Sequence, residues 1–215
     1  MTEPDVALTD YGLFVLNGGF AVVIAMKRRD LLRWPWVLFF GSLSIASLFG
    51  GTVHGFFLNE MTAGYQVLWP LTLIFIGTAA IGAWRIGAHL YPLRETVRGQ
   101  LNLAVTCAFV LYAALVYWGA DAFWVAVLFY LPGVIFLTLA SYKVLARDRS
   151  NPARFLFAGL LLTFVAAAIQ QFKIGIHPHW FNYNATYHVV QAVALVMIFK
   201  KASLTEHLSN ERNRT

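Results

Sequence analysis

The stretch WVLFFGSLSIASLFGGTVHGFFL, residues 36–58, is a long apolar run with one ionisable residue, His54, close to its end. A segment needs about 20 mostly apolar residues to cross the roughly 30 Å of hydrocarbon in a bilayer as a helix. Ionisable side chains are costly inside a membrane, and by default they mark a functional position. The stretch therefore predicts a membrane-spanning helix with a functional histidine near one end.

Similar apolar runs fill most of the chain, which has 215 residues. Only 12% of its residues are charged, about half the share that is usual in soluble domains. Seven segments are long enough to span a membrane: 10–26, 36–58, 65–88, 101–118, 122–145, 155–172 and 183–199. We predict an all-α bundle of seven transmembrane helices in one domain, 1–201, followed by a polar cytoplasmic tail, 202–215.

Basic residues lie almost entirely on one side of these predicted spans. Of the 16 Lys and Arg residues, only Lys173 falls on the other side. Lys and Arg concentrate in cytoplasmic loops, so we expect the N-terminus outside and the C-terminus inside. The formal charge of +6 then reports topology, and we assign no nucleic-acid partner. We expect an integral protein of a bacterial plasma membrane.

Small residues share a helix face with His54. Ser47, Gly50 and Gly51 fall in the same sector as His54, and Gly51 and Gly55 have GxxxG spacing. Small residues mark the faces on which membrane helices approach each other closely. We expect His54 to point toward a neighbouring helix and away from lipid.

Polar side chains of other spans gather at the same predicted depth, in the outer half of the membrane. Asn184, His188 and Gln191 form one stripe along two turns of the last span, and Asn17 and Gln171 lie in the first and sixth spans. We predict an outward-facing polar pocket with His54, Asn184 and His188 at its floor and Asn17, Gln171 and Gln191 as further lining. An alternative is a set of interhelical hydrogen bonds with no ligand.

Tryptophans close to the ends of the predicted spans are typical of the aromatic belts that anchor a protein at the membrane surface. These residues are Trp34, Trp36, Trp118, Trp124 and Trp180. Other motifs are absent: the chain has no HExxH, no glycine-rich phosphate loop and no GxSxG.

The arrangement of seven helices, with GGTVHGFF late in helix 2 and FNYNATYHVVQAVAL early in helix 7, resembles the CREST superfamily of alkaline ceramidases and adiponectin-type receptors. It looks closest to a bacterial branch of small seven-helix membrane proteins. The resemblance implies a zinc ion held by a helix 2 histidine and two histidines of an HxxxH in helix 7. It further implies a nearby Ser and Asp and the hydrolysis of lipid amides.

The match to that pattern is partial. His54 matches the helix 2 ligand and His188 the second histidine of HxxxH, whereas Asn184 stands at the first. Gly50 stands at the serine position, and AGYQVLW at the start of helix 3 contains no Asp. An amide is a poor zinc ligand beside imidazole, so zinc would need help from Glu60, His177 or His179.

Two functions remain open from the sequence. The missing Asp, Ser and third His favour a non-enzymatic membrane protein that binds or moves a lipid-like or other small amphiphilic molecule. The paired histidines favour a zinc-dependent membrane hydrolase of lipid amides or esters. A haem held between His54 and His188 is a third and weaker alternative.

Overall fold

The computed structural model describes residues 1–177 and 180–212, with only the backbone for 204–212. In this part of the chain it contains seven helices and no strand. The helices are α1 (Pro4–Lys27), α2 (Arg33–Phe56), α3 (Ala63–Leu90), α4 (Glu95–Tyr117), α5 (Phe123–Arg147), α6 (Asn151–Gln171) and α7 (Tyr183–Arg212). The all-α prediction and its seven segments are confirmed, with shifted ends.

Most of these shifts extend a helix beyond its apolar run. Pro4 stands in the first turn of α1, where a proline costs no helix hydrogen bond, and Asp5 in the same turn complements the helix dipole. Helix α1 therefore begins six residues before the predicted span at residue 10. At the other end of the chain, the α7 backbone continues to Arg212, through most of the predicted tail; residues 213–215 lie outside the described part.

Two ends of the bundle are defined by contacts between helix termini. We call the end that carries His54 and His188 the histidine end. Here the chain just before α1 contacts the end of α2, where Thr2 N–H donates to Gly55 O. The first turn of α1 contacts the residue before α7, where Asn182 N–H donates to the Asp5 carboxylate. We call the opposite end, where Arg28 follows α1, the arginine end. Here the Arg28 side chain donates to Ala202 O of α7. Consecutive helices thus alternate in direction.

The helix order around the bundle follows from the pairs that pack together. Helix α1 packs on α2 and α7, α2 on α3, α3 on α5, α5 on α6, and α6 on α7, while α4 lies against α3. Tyr112 of α4 also stacks on Phe129 of α5, with 4.4 Å between ring centroids. The ring of six helices therefore brings α1, α2 and α7 together, and these helices carry His54 and His188.

Aromatic side chains fill the core. Phe20 of α1 stacks on Phe199 of α7 at 4.0 Å, and Phe40 packs edge-on against both rings. Trp36 stacks on Phe40 and is 2% exposed. The prediction that Trp36 belongs to an aromatic belt is therefore wrong: the residue faces the core, whereas Trp34, Trp118, Trp124 and Trp180 are exposed.

Helices α1 to α6 are long and apolar enough to cross a membrane by length and composition. The chain is thus a helical bundle of the membrane-protein type. Helix α7 is not among these six within the described residues. Its first turns carry Asn184, His188 and Gln191, which lower its mean hydropathy.

Candidate functional site

Glycines set the spacing between α1 and α2 at the histidine end. A Cβ atom at Gly51 would lie 2.9 Å from Asp10 Cβ and 3.2 Å from Ala7 O, and one at Gly55 would lie 3.4 Å from Ala7 Cβ. These distances leave no room for a larger residue at position 51. The predicted close approach on the glycine face is confirmed, and the helix that approaches is α1.

His54 is half-buried and contacts the first residues of α1. Its Nδ1 atom lies 2.6 Å from Glu3 Oε2, and its backbone carbonyl accepts a hydrogen bond from Glu3 N–H at 3.1 Å. The ring also meets the Trp69 indole of α3 edge-on. His54 thus points toward neighbouring helices, as the small-residue face predicts.

His188 is buried between α1 and α7 and has an α1 residue on each side of its ring. Nδ1 lies 2.9 Å from Thr9 Oγ1, and Nε2 lies 3.4 Å from Asp10 Oδ1. The Thr9 hydroxyl gives its one hydrogen to the backbone carbonyls of Asp5 and Val6, so the matching tautomer of His188 carries its hydrogen on Nδ1 and donates it to Thr9 Oγ1. His188 and Asp10 are 9% and 6% exposed.

No fixed positive charge accompanies the Asp10 carboxylate. The segments 1–26, 36–58 and 174–199, which supply this part of α1, α2 and α7, contain no Lys or Arg. Asp10 Oδ2 faces Gly50, whose missing side chain leaves space beside the carboxylate: a Cβ there would lie 3.5 Å from this oxygen. The outer-cluster residues Glu3, Asp10, His54 and His188 therefore bring two carboxylates and two histidines together, and these segments add no Lys or Arg.

The other predicted pocket residues divide into two groups. Asn184 turns toward α6, where its Oδ1 accepts from Gln170 Nε2 at 3.4 Å, and Gln171 is exposed. Asn17 and Gln191 are buried, and each has a side-chain oxygen without a hydrogen-bond partner among the described residues. The structure thus separates Asn184 and Gln171 from the core of the cluster.

The fit to a metal ion depends on how many ligands converge. Among residues 1–177 and 180–212, no three His, Cys, Asp or Glu side chains gather closely enough to hold a metal ion. Glu60 is exposed beyond the end of α2, His177 lies in the α6–α7 loop, and His179 lies outside the described residues. The described side chains therefore do not form the three-ligand set that catalytic zinc usually has.

An open cleft of about 360 Å³ lies elsewhere at the histidine end, beside α3 and α4. Its lining includes Glu60, Tyr65, Tyr117 and Asp121, and none of the predicted pocket residues. None of the residues Glu3, Asp10, His54 and His188 lines this cleft.

Sequence reasoning missed the contribution of α1. Glu3, Thr9 and Asp10 supply partners of both histidines, yet none of them is among the pocket residues that the sequence predicts. A signal was present: Glu3, Asp10 and Asn17 are spaced at seven residues, which places them on one helix face. Asp10 is also a carboxylate at the very start of an apolar run.

The comparison with protein families gives one match over nearly the whole chain. Residues 6–206 match DUF6962, a family of unknown function. The chain belongs to this family. The matched range contains α2 to α6 in full and most of α1 and α7.

A weaker similarity links this DUF6962 member to a membrane-enzyme subunit. The NADH-quinone oxidoreductase subunit N of Syntrophotalea carbinolica is 28% identical over 189 residues, which cover 75% of this chain and 40% of that subunit. The chain thus spans less than half the length of this relative. The similarity agrees with a membrane-embedded bundle.

Proposed function

We propose that the chain is a seven-span integral membrane protein of a bacterial plasma membrane, with the histidine end outside and the arginine end in the cytoplasm. The basic residues support this orientation, because all Lys and Arg residues except Lys173 belong to the arginine-end connectors or the C-terminal segment. Reporter fusions after residues 30, 62, 95, 120, 150, 176 and 210 test it. A cytoplasmic signal at 62, 120 or 176 contradicts it.

We further propose that the outer cluster binds the polar head of a lipid-like or other small amphiphilic molecule. The observation that carries this proposal is the Asp10–His188 pair, which is buried between membrane-type helices without a Lys or Arg. Such groups are expensive to keep in a membrane, and they mark substrate or ion pathways. The half-exposed Glu3–His54 pair above them gives the cluster an accessible side.

The test is equilibrium binding of a radiolabelled long-chain amine to purified protein in nanodiscs. We expect saturable binding to the native protein and a loss of about tenfold or more in affinity for Asp10→Asn, because a hydrogen bond to a charged group contributes roughly 1.5–3 kcal/mol. The matched control is Asp148→Asn, which changes an exposed carboxylate beyond the arginine end of α5. Equal binding of the amine by both variants contradicts the role of Asp10, and the absence of saturable binding by chains with amine, neutral and anionic heads alike contradicts the proposal.

A zinc-dependent hydrolase of lipid amides or esters, as in the CREST resemblance, is the second candidate. The observation that favours it is that His54 and His188 both contact residues 3–10 of the chain, at the same end of the bundle. We expect weak or no zinc binding by the native protein and much tighter binding by Asn184→His, which restores two histidines one turn apart. The measurement is a zinc titration in detergent. One tight zinc per native chain, unchanged in Asn184→His, would move the hydrolase ahead.

A further inference from the structure

Two buried amide side chains, Asn17 of α1 and Gln191 of α7, each have one polar atom without a partner among the described residues, and in both it is an acceptor. Asn17 Nδ2 donates to Leu13 O at 2.8 Å, and Gln191 Nε2 donates to Thr163 Oγ1 at 3.4 Å. A backbone carbonyl accepts only, and the Thr163 hydroxyl gives its hydrogen to Gly159 O, so the two amide nitrogens are fixed in these contacts. Asn17 Oδ1 and Gln191 Oε1 are therefore the atoms that lack a partner.

These two oxygens lie deeper in the bundle than the ionisable residues. The Asp10–His188 contact sets the register of α1 against α7, which run in the same direction. At 1.5 Å per residue, Gln191 lies about 4.5 Å below His188 and Asn17 lies about 10 Å below Asp10. Both side chains are nearly fully buried, at 6% and 1% exposure. Leaving a buried acceptor unpaired costs roughly 1–3 kcal/mol, so a hydrogen-bond donor that reached either oxygen would bind favourably there.

We infer that the ligand of this site carries a polar head that donates several hydrogen bonds, as a primary ammonium does, and that anionic heads are excluded. The inference rests on the amphiphile-binding function proposed above and names its substrate class. Along α1, the groups a head would meet are the Glu3 and Asp10 carboxylates and the Asn17 amide oxygen. Each of them accepts, and the three segments that supply the site have no Lys or Arg to receive a phosphate or carboxylate.

The effects of head-group charge and of head-group hydrogen-bond donors can be separated with ligands that have the same dodecyl tail. The probes are dodecylamine, dodecanol, dodecyltrimethylammonium, dodecanoate and dodecyl phosphate, competed against the radiolabelled long-chain amine on native protein in nanodiscs. We expect dodecylamine to bind about tenfold or more tighter than dodecyltrimethylammonium, which has the charge but no N–H donor. Dodecanol should retain measurable binding, and the two anionic heads should not compete.

Substituting Asn17 and Gln191 tests whether their side-chain oxygens determine which head group binds. Asn17→Leu and Gln191→Leu should each weaken dodecylamine binding by about tenfold while dodecyltrimethylammonium binding changes little. Asn102→Leu is the matched control, because Asn102 Oδ1 is also buried and unpartnered but lies on α4, away from the cluster. It should leave both affinities unchanged.

The outcomes separate this inference from the proposed function. No saturable binding of any head overturns the proposed function and this inference together. Tightest binding of dodecanoate or dodecyl phosphate, or equal affinity for the two cations, overturns the inference and leaves amphiphile binding standing. If dodecylamine affinity is unchanged in both leucine variants, the Asn17 and Gln191 oxygens do not contact the ligand, and the inference is also overturned. The native head-group ranking decides the matter even if a variant fails to fold.

Discussion

The two ends of the bundle treat buried charge in opposite ways. At the arginine end, the buried Arg28 guanidinium forms a two-point contact with the Asp30 carboxylate and donates a further hydrogen bond to Ala202 O. At the histidine end, the polar contact of the buried Asp10 carboxylate among the described residues is the His188 ring, at 3.4 Å. The Arg28 cation thus has several hydrogen-bond partners in the protein, whereas the Asp10 carboxylate has one longer contact.

This difference distinguishes a buried charge that stabilises the fold from one that has a different role. A buried ion stabilises a protein only when its partners compensate for lost hydration, and Arg28 meets that condition. Partial burial raises the pKa of the Asp30 carboxyl, but the Arg28 hydrogen bond and charge outweigh this effect and leave the pKa below its ordinary value. Asp10 has no comparable compensation among the described residues, which agrees with the binding role proposed for it.

The largest expected effect comes from Gly51, which holds α1 against the histidine end of α2. In Gly51→Leu the new side chain would collide with Asp10 Cβ and Ala7 O. We expect a loss of about 3 kcal/mol in the free energy of unfolding, at the upper end for overpacking, measured by denaturant unfolding in detergent. The control is Gly19→Leu, where a Cβ meets nothing within 4 Å. Equal stability of the two variants would show that α1 is not held by close packing.

Asp30→Asn tests the arginine end. The change leaves the Arg28 cation buried without its charged partner, and we expect a loss of about 2 kcal/mol in unfolding free energy. The loss stays below the usual range because the Asp30 side chain is 51% exposed. Asp148→Asn, which removes an exposed carboxylate bonded to Ser150, is the control and should change little.

The same pair gives the native protein a pH dependence. Because the folded-state pKa of Asp30 is lowered, its stabilisation is fully present above the pKa of the unfolded chain. It is lost as the pH falls through the lower folded-state pKa. We expect native stability to fall below about pH 4 more steeply than that of Asp30→Asn, measured by thermal unfolding across pH. Parallel curves for the two proteins would contradict this prediction.

Asp10→Asn makes the matching change at the histidine end. Its effect on unfolding free energy should be small or opposite in sign to that of Asp30→Asn. Removing a buried carboxylate without a cationic partner relieves a desolvation cost, so we expect unfolding free energy to stay within about 1 kcal/mol or to rise. The measurement is the same unfolding series, with amine binding assayed in parallel. A loss as large as that of Asp30→Asn would remove the contrast between the two ends.

Glu3→Gln should have the smallest effect on stability. The Glu3–His54 pair is partly exposed, with side-chain exposures of 34% and 21%, and such pairs contribute roughly 0–1 kcal/mol. We expect a change of about 0.5 kcal/mol in the same unfolding assay. A loss above about 2 kcal/mol would indicate that the start of α1 fastens the histidine end through this pair.

The sequence by itself determined the helices and the faces that point inward. Apolar length is a local property, so residues 36–58 indicated a helix close to α2, and the spacing of Gly50, Gly51 and His54 indicated a packed face. Neither property depends on which helix lies opposite. For the same reason the stripe of Asn184, His188 and Gln191 could be placed on one side of α7 before its partners were known.

Only the tertiary structure decided the partners. Periodicity gives the face of a helix but not its neighbour or the axial register against it, so the Asp10–His188 contact could not be read from either segment alone. Asn184 pairs with Gln170 because α6 packs beside α7, and Trp36 lies in the core because α2 is turned that way. The chemistry of the site follows from that register, which places an acidic face of α1 against two histidines from distant parts of the chain.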